Sequence, residues 1–155
     1  MAGPLKSGKV SSKANLSKKK FAIVVAEWNE EITEALYDGA YSSLIANGAK
    51  KSNITRKTVP GTFELTLGAQ WMADQKGIDA VIVLGCVIQG ETPHFDYICQ
   101  AVAYGITEVN LKSKKPVIFG VLTVLDKDQA LARAGGKYGN KGEEAALTAI
   151  SMLNF

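Results

Sequence analysis

Three short stretches hold most of the side chains in this chain that could do chemistry. Pro60-Gly61-Thr62-Phe63-Glu64 reads as a turn running into a helix start. Free backbone N–H groups there can face an anion or a carbonyl-rich heterocycle, and Glu64 can accept hydrogen bonds from hydroxyls. Ordinary capping explains the same letters, with Thr62 as an N-cap and Glu64 serving the helix dipole. Ile88-Gln-Gly-Glu-Thr-Pro-His-Phe-Asp96 offers a flexible backbone and a hydroxyl at Gly90-Glu91-Thr92, suited to a phosphate or to a plain capped loop. It also carries His94, the only histidine. An unperturbed pKa of about 6.5 makes that side chain the best proton-transfer candidate, with a purely structural role as the alternative. Glu27-Trp28-Asn29 supplies a large aromatic that either stacks on a planar ligand or closes the core.

Other candidates are weaker. Cys86 and Cys99 have no Cys-x-x-Cys or His partner at metal-ligand spacing, so free thiols and no metal site are expected. Gly135 to Gly142 is glycine-rich and contains lysine, yet Asn140 and Gly142 stand where a P-loop needs Gly and Ser or Thr, and the stretch joins two helices. Nor is there a Gly-x-Gly-x-x-Gly, which disfavours conventional nucleotide and dinucleotide binding.

The elements that must position these residues alternate in period. Phe21–Ala26 is a continuous apolar run of strand length, and Ile54–Val59, Ala80–Val87 and Val117–Leu122 compete for the same role. Between them Ile32, Ala35, Leu36, Gly39, Ala40 and Ser43 repeat at helical spacing before Asn47-Gly48. Leu65, Gly68, Ala69 and Met72 do so up to Gly77, and Ile98, Ala101, Val102, Gly105, Ile106 and Val109 up to Lys112–Pro116. Short helices over about Asp126–Ala134 and Glu143–Leu153 follow. Strands alternating with helices predict right-handed βαβ units, hence a flavodoxin-like α/β/α sandwich around a four-stranded parallel sheet. In such sheets ligands bind beyond the carboxyl ends of the strands, where the three stretches fall. Tyr37, Tyr41 and Leu44 add a second apolar line to the first helix, suited to a subunit contact or to a wide core-facing stripe.

At 155 residues and 46% apolar composition the chain fits one compact domain, expected over 21–155. Residues 1–20 hold six lysines and no acid, and are expected to form a loose arm with one short strand near Val10. Net charge is +3 overall and −3 without that arm, which argues against a nucleic-acid-binding fold. No uncharged run exceeds 11 residues, so no membrane crossing is expected. The lysines precede no apolar signal core and two cysteines make no disulfide framework, which predicts a cytoplasmic location.

Together, Val59-Pro-Gly-Thr-Phe-Glu64, Gly90-Glu-Thr-Pro-His-Phe-Asp-Tyr97, Phe119-Gly-Val-Leu-Thr123, Gln129-Ala-Leu-Ala-Arg-Ala-Gly135 and Gly139-Asn-Lys-Gly-Glu-Glu-Ala145 closely resemble the 6,7-dimethyl-8-ribityllumazine synthase family, in one register over about residues 21–153. The resemblance implies condensation of 5-amino-6-(D-ribitylamino)pyrimidine-2,4-dione with 3,4-dihydroxy-2-butanone 4-phosphate, the penultimate step of riboflavin biosynthesis, without metal or organic cofactor. It implies that Trp28 stacks on the pyrimidine beside Asn29, that Thr62, Phe63 and Glu64 hold the ribityl chain, and that Cys86, Val87 and Ile88 line the ring edge. Glu91, Thr92 and Arg133, with Lys137, would grip the phosphate, and His94 would be the catalytic acid/base. Phe119 and Arg133 would come from a neighbouring subunit. Two positions depart from many members: Trp28 stands for Phe, which preserves stacking, and Gln89 for Arg, which removes a charge near the phosphate.

The family implies a homopentamer, which some members close into a 60-subunit icosahedral shell, and riboflavin synthase as a partner. No insertion separates the last two helices here, a feature that favours the shell. A catalytically silent flavin- or lumazine-binding carrier, or a cage protein of the same fold, is the competing reading, and the intact set of His94, Arg133 and Glu64 favours the enzyme.

Overall fold

The computed structural model describes residues 15–155. Strands β1 (Phe21–Ala26), β2 (Ile54–Val59), β3 (Ala80–Ile88) and β4 (Val117–Val124) form one parallel sheet in the order β2-β1-β3-β4. Helices α1 (Glu30–Ala46) and α5 (Lys141–Met152) cover one face, and α2 (Leu65–Asp74) and α3 (His94–Ser113) the other. This is the three-layer α/β/α arrangement expected from the alternating periods.

The two-residue repeat of a strand sends neighbours to opposite faces, so one apolar run feeds two cores. Phe21, Ile23 and Val25 pack with Ile32, Leu36, Leu44 and Ile150 on one side, while Ala22, Val24 and Ala26 pack with Leu65, Met72, Val102 and Ile106 on the other. All six β1 residues are fully buried, which explains why the run shows no polar alternation. Ala101, expected on the inner face of α3, is exposed.

Tyr37 and Tyr41 stack at 5.9 Å between ring centroids, and the Arg56 guanidinium from β2 sits 4.3 Å over Tyr37 while paired with Glu34. The second apolar line of α1 is thus partly covered by the chain's own edge strand.

Three stretches differ in detail from the sequence expectation. Residues 15–20 of the predicted arm are docked: Leu16 is buried in the core, Lys19 pairs with Asp79 at 3.2 Å, and Asn53 donates to the Ser17 carbonyl at 3.0 Å. The short strand expected near Val10 lies outside the described residues. The fourth helix, α4 (Lys127–Leu131), stops early because the chain turns into a small antiparallel hairpin, β5 (Ala134–Gly136) with β6 (Gly139–Asn140), where a loop was expected. Asn140 fixes this hairpin, donating to the Ala35 carbonyl of α1 at 2.8 Å and accepting from Gly142 N–H at 2.8 Å as the cap of α5.

The α1–α5 contact is close enough to exclude a side chain at Gly142, where a Cβ would overlap the Leu36 carbonyl. Gly142→Ala should therefore cost about 1–3 kcal/mol or more, lowering Tm by roughly 3–10 °C in a chain of this size. Gly90 has open space around its Cβ position, so Gly90→Ala should leave the melting curve in place. Circular dichroism melts of both variants check the contrast.

Candidate active site

All four strands end on one rim, and the ladder hydrogen bonds run past their ends: Glu27 N–H to Val59 O at 2.9 Å, Trp28 N–H to Pro60 O at 3.1 Å, and Gln89 N–H to Val124 O at 2.9 Å. The loops that carry the candidate residues thus leave the sheet already paired with one another. After β1, Asn29 adopts left-handed backbone (φ 61°), a conformation asparagine tolerates better than most residues. Its side-chain amide donates to the Cys86 carbonyl at 2.9 Å, tying this loop to the end of β3. Trp28 is 67% exposed, so it does not close the core. The six-membered ring of its indole lies close to Gly61.

After β2, Thr62 is buried and its hydroxyl donates to the same Cys86 carbonyl, at 3.5 Å. The structure rules out the capping alternative for Thr62, because α2 begins three residues later and takes Glu64 at its cap position. The Glu64 carboxylate accepts no N–H of that helix and turns back to Gly61 N–H at 3.0 Å, bracing the turn. Phe63 and Glu64 are exposed.

After β3, Pro93 occupies the cap position of α3 and His94 its first residue, exposed to solvent. An open pocket of about 180 Å³ lies between these loops, lined by Trp28, Asn29, Thr62, Phe63, Cys86, Val87, Ile88, His94 and Ile98. Eight of these residues were expected from the sequence. Ile98 was assigned to the core of α3 alone, although its position one turn after His94 on the same helix face is the signal that puts it beside the pocket.

Five other candidates do not line that pocket, and a sixth, Glu64, braces its turn. Glu91 and Thr92 are exposed in the β3–α3 loop. Phe119 pairs with Val83 in the middle of β4, three residues below the Cys86 level, and lines a separate groove of about 480 Å³ with Lys141, Glu144 and Met152. Arg133 donates to the Gln129 carbonyl at 2.9 Å and lies over the Tyr138 ring at 4.9 Å, and Lys137 Nζ is 4.8 Å from the same ring.

An apolar pocket with a single imidazole at its mouth, outside the carboxyl ends of an open parallel sheet, is the arrangement of a small-molecule α/β enzyme. A family model described as 6,7-dimethyl-8-ribityllumazine synthase matches residues 18–155. Proteins named 6,7-dimethyl-8-ribityllumazine synthase match from Cytophaga hutchinsonii (70% identical over 90% of this chain and 87% of the relative) and Parabacteroides distasonis (56% over 94% and 91%). One from Bacteroides fragilis is 55% identical over 88% and 95%. The chain belongs to the 6,7-dimethyl-8-ribityllumazine synthase family.

Both cysteines are free thiols. Burial pushes the Cys86 thiol up to about 11, and burial together with nearby Asp96 pushes Cys99 up as well. The thiol at the pocket wall is therefore a neutral packing group, not a nucleophile. Iodoacetamide at pH 8 should label Cys99 slowly and Cys86 only after unfolding, as read by peptide mapping. An acid whose folded pKa lies above its unfolded value stabilises the fold below that unfolded value. The contribution of Cys86 should accordingly disappear as pH rises from the usual thiol value of 9.0 toward about 11, and Cys86→Ala should flatten that part of the stability profile. Rapid labelling of native Cys86 would contradict this assignment.

Proposed function

We propose that this protein condenses 5-amino-6-(D-ribitylamino)pyrimidine-2,4-dione with 3,4-dihydroxy-2-butanone 4-phosphate to give 6,7-dimethyl-8-ribityllumazine, phosphate and water. The observation that carries the proposal is the pocket itself. A planar, exposed indole, a buried hydroxyl and a lone histidine meet at one strand rim, in a chain of this family. The reaction needs a stacked pyrimidine, a held phosphate and a proton carrier. Trp28 offers the stacking face, with Asn29 beside it, and Val87 and Ile88 offer apolar contact along the ring edge. The turn at Thr62, Phe63 and Glu64 faces the ribityl hydroxyls.

The ring amine attacks the donor ketone and water leaves, forming an imine. Phosphate is then eliminated, the product tautomerises, and the ribitylamino nitrogen closes the second ring with loss of water. Each step moves a proton at carbon, nitrogen or oxygen, and His94 at the mouth of the pocket is the group that relays them. Holding the two reactants together supplies much of the acceleration.

A pocket of about 180 Å³ is smaller than the roughly 300–1,000 Å³ of ordinary ligand sites. One chain thus provides one wall. Phe119 and Arg133 face other surfaces and complete the site of a neighbouring copy, Arg133 meeting the phosphate together with Glu91, Thr92 and Lys137. That requires a homo-oligomer, proposed as a pentamer or a shell of pentamers, working in the cytoplasm. Sedimentation should give copies in multiples of five.

His94→Ala should lower kcat by about 10²- to 10⁴-fold with little change in pyrimidine affinity. Full kcat across pH 6 to 8 in steady-state assays would remove His94 from the reaction. Arg133→Ala should raise KM for the phosphate-bearing donor and leave pyrimidine affinity unchanged, because a charge-assisted bidentate contact is lost. Equal weakening of both substrates would point to a folding or assembly defect instead.

A further inference from the structure

The indole of Trp28 is largely solvent-exposed, yet its place is defined. Its backbone N–H is held by the Pro60 carbonyl at 3.1 Å, and two atoms of its six-membered ring stand where a side chain at Gly61 would begin. A Cβ at position 61 would stand 2.8 Å from Trp28 Cε3 and 2.9 Å from Cζ3, and 3.1 Å from Glu64 Oε2. Carbon atoms in contact prefer about 3.5–4.0 Å, so the ring and a methyl at 61 cannot share this space.

Backbone conformation does not explain the glycine, since Gly61 is not among the residues with positive φ. The turn is also fixed independently of the ring, through Gly61 N–H to Glu64 at 3.0 Å. What position 61 needs is the absence of a side chain under the indole. From this we infer that Gly61 is a positioning residue for the planar substrate. By having no Cβ it lets the Trp28 ring lie across the 60–64 turn, and this sets the width of the slot in which a heterocycle stacks. The inference rests on the reading that Trp28 stacks on the pyrimidine.

With alanine at 61 the ring must swing outward into the pocket, because the other parts are held. That motion is cheap for the fold, since Trp28 is largely exposed, but it narrows a pocket that is already small. The effect should fall on planar-ring affinity and spare both stability and the phosphate-bearing substrate.

The test is a double-mutant cycle with riboflavin as the probe, since it combines a planar ring with a ribityl chain. Gly61→Ala should weaken riboflavin binding by roughly three- to tenfold, the range set by ring stacking, with an unchanged melting curve. KM for the pyrimidine should rise while KM for the phosphate donor stays put. In a Trp28→Phe background, where the outer indole atoms are gone, the same substitution should cost at most about twofold, a coupling that only contacting residues show. An equal loss in both backgrounds, or an equal loss of melting temperature in both, would overturn the inference and assign Gly61 to the turn or to Glu64. Failure of the underlying reading looks different: Trp28→Ala would then bind riboflavin as tightly as the parent protein.

Discussion

The Cys86 backbone carbonyl is the point on which the site is built. It sits at the end of β3, on the central side of the sheet, and accepts from the Asn29 amide at 2.9 Å and from the Thr62 hydroxyl at 3.5 Å. One acceptor therefore ties the loops that follow β1 and β2 to the end of β3. A buried carbonyl left without a partner would cost about 1–3 kcal/mol, so these two donors stabilise the loops and the strand end together. The bond from Asn29 also offsets the left-handed backbone at that residue, which stands at the cap position of α1 directly after the exposed Trp28.

What makes the carbonyl available is the parallel sheet beneath it. Phe21 stands opposite both Ile54 and Ala80, and all four carboxyl ends lie on one side of the sheet, with β3 and β4 running on together past the last β1 pair, Val25 with Leu84, to Ile88 opposite Val124. Two cores on opposite faces hold that rim rigid, and the small pocket above inherits its precision from them. On the proposed reading a second copy supplies the opposite wall. The same rigidity then serves twice, because Phe119 is placed by β4 and Arg133 by the hairpin that Asn140 locks to α1.

Much of this was legible in the amino-acid sequence, for physical reasons that differ from element to element. Phe21–Ala26 and Ala80–Val87 announced themselves because a strand covered on both faces has no polar positions to hide it. The rim residues were legible because chemistry in an open sheet gathers after the strands. The hairpin at 134–140 was not, since a strand of Ala-Gly-Gly carries neither alternation nor β-branching and is formed by Asn140 capping and bonding at long range. Leu16 fell within the expected loose arm for a related reason: one leucine among lysines has no period, and only the core cluster it shares with Phe21 and Ala49 gives it a place. The capping alternative for Thr62 fails because its partner, the Cys86 carbonyl, lies 24 residues away in sequence.

The central claim is that one chain holds half of the site, built on the Cys86 carbonyl, and that Arg133 serves the half-site of a neighbour. The direct measurement is subunit complementation between two impaired variants. His94→Ala and Arg133→Ala proteins would be unfolded, mixed in equal amounts and refolded together, then assayed beside each variant refolded alone. If the site is shared, random assembly restores an intact His94–Arg133 pair in about a quarter of the interfaces, and activity should return to about that fraction of the refolded parent protein. A mixture no more active than the average of the two variants would contradict the account and put both residues in a site made by a single chain.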